Sequence, residues 1–320
     1  MNKLEHLPIA LFASVMGMSG LTLGWLKAGT EGWPVATPIG FVLAIATTAL
    51  LLVLLLAYGL KAVSHPAAVA SESKHPVKLN FFAAIPIGLI LVATVWSNSH
   101  PGLAEPIWWT GIAAMLVATL FTMSSWINHS HYQVGHLNPA WFIPVVGNIL
   151  VPIAGMRLGY VEISWFFFSV GLVFWIILTA LVMNRLIFHE ALPERMRPTL
   201  FILLAPPAVG FVSYLSLNGM ALDALARVLY FTALFLALLL TSNAIKFLKL
   251  PFFISGWAYS FPIAAMTVAS FEMGQLSGLF GYSALAWALL ATLSVVVLYL
   301  AYKTLSALFG GQLLAPEPAH

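Results

Sequence analysis

Ten long apolar runs separated by short polar breaks decide what this chain can become. They read as Ile9 to Leu26, Ile39 to Leu60, Phe81 to Trp96, Ile107 to Ile127, Pro139 to Met156, Ile163 to Asn184, Thr199 to Leu217, Val228 to Ile245, Ile254 to Ser270 and Tyr282 to Tyr302. About 20 apolar residues carry a helix across roughly 30 Å of hydrocarbon, and a helix satisfies its own backbone there. Only 7% of the side chains are charged, against about 25% in a soluble domain. The expected fold is therefore all-α and integral to a membrane, one transmembrane domain over residues 1–320. The first run continues to Trp25 without a small-residue cleavage pattern, so it reads as a span and not as a signal peptide. The chain has no cysteine, which removes disulfides, thiolate metal sites and cysteine nucleophiles.

Counting basic residues on alternate sides of ten spans groups Lys3, Lys61, Lys74, Lys78, Arg185, Arg195, Arg197, Lys246, Lys249 and Lys303. Lys27, Arg157 and Arg227 fall on the other side. This bias places both termini in the cytoplasm. The same residues lie in loops, so the positive net charge points to topology and not to nucleic acid. Trp25, Trp96, Trp108, Trp109, Trp126, Trp141, Trp165 and Trp257 stand near span ends, as in an interfacial aromatic belt.

Prolines divide the spans into two kinds. Pro86 lies inside the third, Pro144 and Pro152 inside the fifth, Pro206 and Pro207 inside the seventh and Pro262 inside the ninth, while the even spans have none. Their spacing is about one helical hairpin, so the chain reads as five repeated hairpins. Each proline frees the carbonyl four residues back and kinks its helix. Such a carbonyl is tolerated at membrane depth only beside protein or water, which argues for kinked odd helices inside and unbroken even helices outside. The first span has Gly17, Gly20 and Gly24 instead, a pattern for close helix packing.

No span carries Asp, Glu, Lys, Arg or His in its core, and all nine histidines fall in loops or tails. Intramembrane proton pumps, metalloproteases and haem enzymes need such residues, so no enzyme and no cofactor is expected. The loop holding His129, His131 and His136 reads as a solvated loop, with a metal site as the weaker alternative and no metal expected. Glu272 and Asp223 at span ends read either as charges at a pore mouth or as solvated helix termini.

Three segments carry a resemblance: Ser255-Gly256-Trp257-Ala258-Tyr259-Ser260-Phe261-Pro262-Ile263-Ala264-Ala265-Met266, Asn138-Pro139-Ala140-Trp141-Phe142-Ile143-Pro144 and Leu204-Ala205-Pro206-Pro207-Ala208-Val209-Gly210. The chain resembles the slow-type anion channel family, whose members include bacterial tellurite-resistance proteins, fungal dicarboxylate and sulfite transporters and plant guard-cell anion channels. The resemblance implies ten helices as five hairpins in a quasi-fivefold ring, odd helices lining a central pore, and a homotrimer embedded in lipid. It also implies that Phe261, before the ninth-span proline, plugs the pore, and that Val15 replaces the family's first-helix proline. The function expected is a passive channel for small inorganic anions such as chloride and nitrate. The alternative is a transporter of C4-dicarboxylates, sulfite or tellurite-related oxyanions. Ser14, Ser19, Thr22, Thr94, Asn148, Ser213, Ser260 and Thr267 are candidate pore-lining residues, and each could equally cap a freed carbonyl.

Overall fold

The computed structural model describes residues 3–128 and 132–315, and among them it is helical without a strand. The main helices are α1 (Ile9–Thr30), α2 (Ala36–Ser64), α3 (Lys78–Trp96), α4 (Pro101–Asn128), α5 (Pro139–Gly155), α6 (Val161–Phe188), α7 (Glu194–Leu217), α8 (Ala224–Ser242), α9 (Ser260–Ser277) and α10 (Phe280–Phe309). Short helices Pro66–Lys74 and Ala244–Leu248 lie in the connections. Among the described residues, eight helices are long and apolar enough to cross a membrane; α5 is shorter and α9 is not among the eight. These helices make the chain a multi-pass membrane protein.

The helices sort into two kinds by backbone. Each odd helix starts in 3-10 geometry or, for α9, directly follows it, at Ile9–Phe12, Lys78–Ala83, Pro139–Phe142, Glu194–Leu204 and Ile254–Tyr259. The α-helical part then begins at Ala13, Ala84, Ile143, Ala205 and Ser260. Pro86, Pro144, Pro206, Pro207 and Pro262 all lie in the first turn of that α-helical part, where a missing N–H costs little. Val15 sits at the same place in α1, third after the transition, so α1 makes the transition without proline. The expected kink is thus a change of helix type. α5 changes type most often, returning to 3-10 at Gly147–Leu150 before Pro152 restarts the α-helix.

The even helices are regular and longer than their apolar runs, up to 30 residues in α10. One proline breaks the expected rule: Pro106 lies inside α4. The carbonyl it frees belongs to the exposed Gly102 in the first turn of α4, where water can satisfy it. Burial separates the two kinds again. In α1, α3 and α7 the apolar window is 67%, 83% and 61% buried, against 28% in each even helix.

Each odd helix packs on the even helix that follows it, and α1 also packs on α3 and α9, α3 on α5, α5 on α7 and α7 on α9. Glycine allows the closest of these contacts. A Cβ on Gly17 would lie 2.1 Å from Ser260 Oγ, and one on Gly20 would lie 2.5 Å from Ala264 Cβ. The first-span glycines therefore seat α1 against α9, as small residues do in membrane packing. Polar side chains tie neighbouring helices: Thr22 to Thr47, Trp96 to Thr48, Tyr230 to Ser270 and Trp257 to Thr304. Trp96 and Trp257 of the expected belt thus bond side chains of neighbouring helices. Trp108 is fully buried and donates to the Val151 carbonyl of α5.

Candidate functional site

Two cavities lie among the odd helices, and no residue of an even helix lines either. The first, of about 70 Å³, sits among the N-terminal parts of the odd helices, with walls that include Met16, Phe81, Ile87, Phe142, Val146, Ile202 and Trp257. Its wall is almost wholly apolar; Ser255 is its one hydroxyl residue. The second, of about 240 Å³, sits among their C-terminal ends, with Leu23, Leu91, Ile153 and Val212 on its wall and Lys27, Thr30, Thr94, Asn98, Arg157 and Glu272 adding polar groups. Both cavities share Leu150 of α5, Val209 of α7 and Phe261 of α9.

These three side chains are buried, Phe261 to 9% exposure. Phe261 is the largest of them, and it approaches α1 where Gly20 leaves room: a Cβ there would stand 3.5 Å from its ring. Its backbone position is set by the helix-type change at Ser260 and by Pro262 in the next position. The Phe261 ring thus stands on the wall that the two cavities have in common.

The candidate hydroxyl and amide residues are placed differently. Thr94 lies on the wall of the larger cavity. The other seven line neither cavity. Ser14, Ser260 and Thr267 donate to carbonyls of their own helices at 2.7, 2.6 and 2.8 Å. Thr22 pairs with Met18 O and Thr47, Asn148 donates to Val145 O and Thr119, and Ser213 donates to Ile149 O of α5. Ser19 is fully buried, its Oγ without a hydrogen-bond partner among the described residues. Thr22 and Thr267 bond the carbonyl four residues back within regular α-helix, and Ser14 and Ser260 the carbonyl three back in a 3-10 segment, so most of these side chains turn to backbone.

The charged groups of the larger cavity were the less legible part. Lys27 Nζ meets Glu272 Oε1 at 3.0 Å, Gln275 Oε1 at 2.9 Å and Glu31 Oε1 at 3.2 Å. The Glu31 contact is an ion pair without hydrogen-bond alignment. Glu272 Oε2 has no hydrogen-bond partner among the described residues. Arg157, just past α5, donates from Nη1 to Ser97 Oγ at 3.1 Å. It is surrounded by protein and still open to solvent, as a side chain on a cavity wall is. Enclosure lowers its pKa and the Glu272 charge opposes that, and a guanidinium stays charged throughout. Of the two span-end acids, Glu272 belongs to the cavity. Asp223 is an ordinary helix cap, accepting from Ala226 N at 2.9 Å, with its carboxyl held below the usual range by that donor and by Tyr214.

Two buried cations lie just beyond the apolar runs, in the last turns of their helices. Lys61 of α2 is 1% exposed and bonds Leu7 O and Glu72, and Arg185 of α6 bonds Glu190 O. Both helices outrun their apolar stretches, which brings these loop-like residues under cover. His129 and His131 lie outside the described residues, and His136 Nδ1 accepts from Gln133 N.

The family model described as voltage-dependent anion channel, SLAC1, matches residues 6–305. The S-type anion channel SLAH2 of Arabidopsis thaliana is 27% identical over 275 residues, and the match covers 84% of this chain but 53% of that protein. The chain thus spans about half the length of that relative. The tellurite resistance protein TehA homolog of Haemophilus influenzae is 29% identical, with 81% and 79% of the two chains covered. The uncharacterized transporter MJ0762 of Methanocaldococcus jannaschii is 26% identical, with 98% of each chain covered. These names describe channels, a transporter and a resistance protein, and none describes an enzyme. With nearly the whole length matched by one family model, the chain belongs to the voltage-dependent anion channel family, SLAC1.

Proposed function

We propose that this chain forms a passive channel for small monovalent anions, chloride and nitrate among them, closed by Phe261. The observation that carries this reading is the pair of cavities, lined by odd helices alone, that meet at Leu150, Val209 and Phe261. In it, residues 1–320 act as one transmembrane unit of five hairpins, with the odd helices closing a ring around the path. The closed sequence of odd-helix contacts from α1 through α9 back to α1 supports the ring. The family's properties extend the reading to a homotrimer in a bacterial inner membrane, with both termini cytoplasmic.

The path is apolar at its narrow part and carries Lys27 and Arg157 at one end. An ion crosses such a path with little binding, and weakly hydrated anions lose least on the way. Pro86, Pro144, Pro206, Pro207 and Pro262 set where each odd helix turns α-helical and hence which residues face the axis. Of the polar candidates, Thr94 lines the path, while Ser14, Ser19, Thr22, Asn148, Ser213, Ser260 and Thr267 support its wall.

Current under voltage clamp, in chloride and then nitrate, tests the reading by comparing the unmodified protein with Phe261→Ala at equal surface density. The alanine variant passes at least about tenfold more anion current, equivalent to lowering the barrier by about 1.4 kcal/mol or more. No current from either form, with folded protein at the surface, removes the channel reading. The second reading, transport of oxyanions or C4-dicarboxylates, draws on the likeness to a tellurite resistance protein homolog and predicts saturable uptake in its place.

A further inference from the structure

The larger cavity holds two cations in opposite states. Lys27 faces three oxygen partners, Gln275 through a hydrogen bond and Glu272 and Glu31 as ion pairs, so its charge is compensated within the protein. Arg157 has five N–H groups on a planar fork, and one hydrogen bond, to Ser97, among the described residues. Its nearest counter-charge, Glu272, is committed to Lys27 through Oε1, yet acts on Arg157 through its field. The result is an accessible guanidinium with unspent donors, on the cavity wall, beside a carboxylate tied to another cation.

We propose that Arg157 forms an anion-binding station in this cavity, selective for planar oxyanions, with Glu272 as the internal carboxylate that competes for it. The station lies on the path assigned above and rests on that reading for its role in permeation. A guanidinium fork matches two coplanar oxygens with two parallel hydrogen bonds, whereas a halide presents a single sphere. Nitrate, hydrogen carbonate and small carboxylates carry the matching edge. The ammonium of a lysine at the same place keeps the charge and loses the fork. Phe261 and Arg157 thus divide the work: the first sets whether anions pass, the second sets which of them collect at the mouth.

The test uses the full chain carrying Phe261→Ala, with nitrate compared against bromide, a sphere of similar hydration. Arg157→Lys lowers the nitrate-to-bromide permeability ratio about threefold or more while bromide current holds. Arg157→Gln lowers current for both anions. Glu272→Gln acts oppositely and raises nitrate occupancy, seen as block of bromide current at lower nitrate concentration. A permeability ratio unchanged by Arg157→Lys overturns the proposal. If Phe261→Ala passes no anion, the path reading fails alone, and the station is decided by binding. Nitrate then raises the Tm of the solubilised protein more than bromide does, and the difference disappears in Arg157→Lys. Equal effects of the two anions on the unmodified protein refute the station.

Discussion

At the scale of single residues, what decides a side chain's role here is the backbone it can reach. Thr94 and Thr267 carry the same hydroxyl on inner helices and bond carbonyls four residues back, at 2.8 Å each, yet only Thr94 lines a cavity. A sequence shows the hydroxyl and not the face, so the apolar walls of the cavities were illegible there, while Phe261, singled out by its motif, lines both of them. Gly20 is the opposite case, since its absent side chain is what brings Ala264 and Phe261 close to α1. Gly20→Ala is expected to lower stability by about 1–3 kcal/mol through overpacking, read as a fall in Tm in detergent. Ala264→Gly in the same chain restores most of the loss, and additivity of the two changes would show that the contact is not shared. Lys61 reads in sequence as a loop cation, but it is buried on Glu72 and Leu7 O. Lys61→Met leaves Glu72 without its cation and costs about 3 kcal/mol, whereas Lys61→Met with Glu72→Leu recovers much of it. Equal Tm values for the single variant and the unmodified protein would refute this role.

At the scale of helices, apolarity and proline placement carry different information. Length and hydropathy identify every even helix, each only 28% buried over its apolar window, and α1, α3 and α7 besides. They identify α9 poorly, because an inner helix surrounded by protein has no need of a continuous apolar stretch, and proline with small residues suits it better. The prolines do mark the inner helices, with Pro106 as the exception that sits near a wet helix end. What no residue pattern announces is the 3-10 segment that opens or directly precedes all five odd helices and is present in α1 without a span proline. A 3-10 helix turns about 120° per residue and an α-helix about 100°, so the point of change sets which way Phe261 faces. Pro262→Ala restores an N–H that can bond to Ala258 O and lets the α-helix of α9 extend toward Tyr259. The expected result is a resting anion current above that of the unmodified protein, with Tm changed little. A resting current equal to the unmodified protein's would show that the change point is fixed by packing and not by proline.

At the scale of the whole molecule, the open question is physical: eight helices meet the demands of a span by length and apolarity, and α5 and α9 do so only with neighbours around them. Ten crossings put ten of the thirteen basic residues on one side, whereas loss of α5 as a crossing would scatter them and oppose the charge bias, and loss of α9 would move only Lys303. The chain has no cysteine, so single cysteines report sidedness without background. Exposed positions flank each doubtful helix: Val134 and Val161 around α5, Ser242 and Leu279 around α9, with Ser71 and Val35 as references. With ten crossings, Val35→Cys, Val161→Cys and Leu279→Cys react with a membrane-impermeant maleimide on intact cells. Ser71→Cys, Val134→Cys and Ser242→Cys react only after permeabilisation. Protection of Leu279→Cys together with Ser242→Cys would mean that α9 does not cross, and the cavities joined at Phe261 would then not form a transmembrane path. That labelling pattern would place Lys27 and Arg157 at the outer mouth and the apolar cavity toward the cytoplasm, so that anions arriving from outside would meet the guanidinium before the phenylalanine.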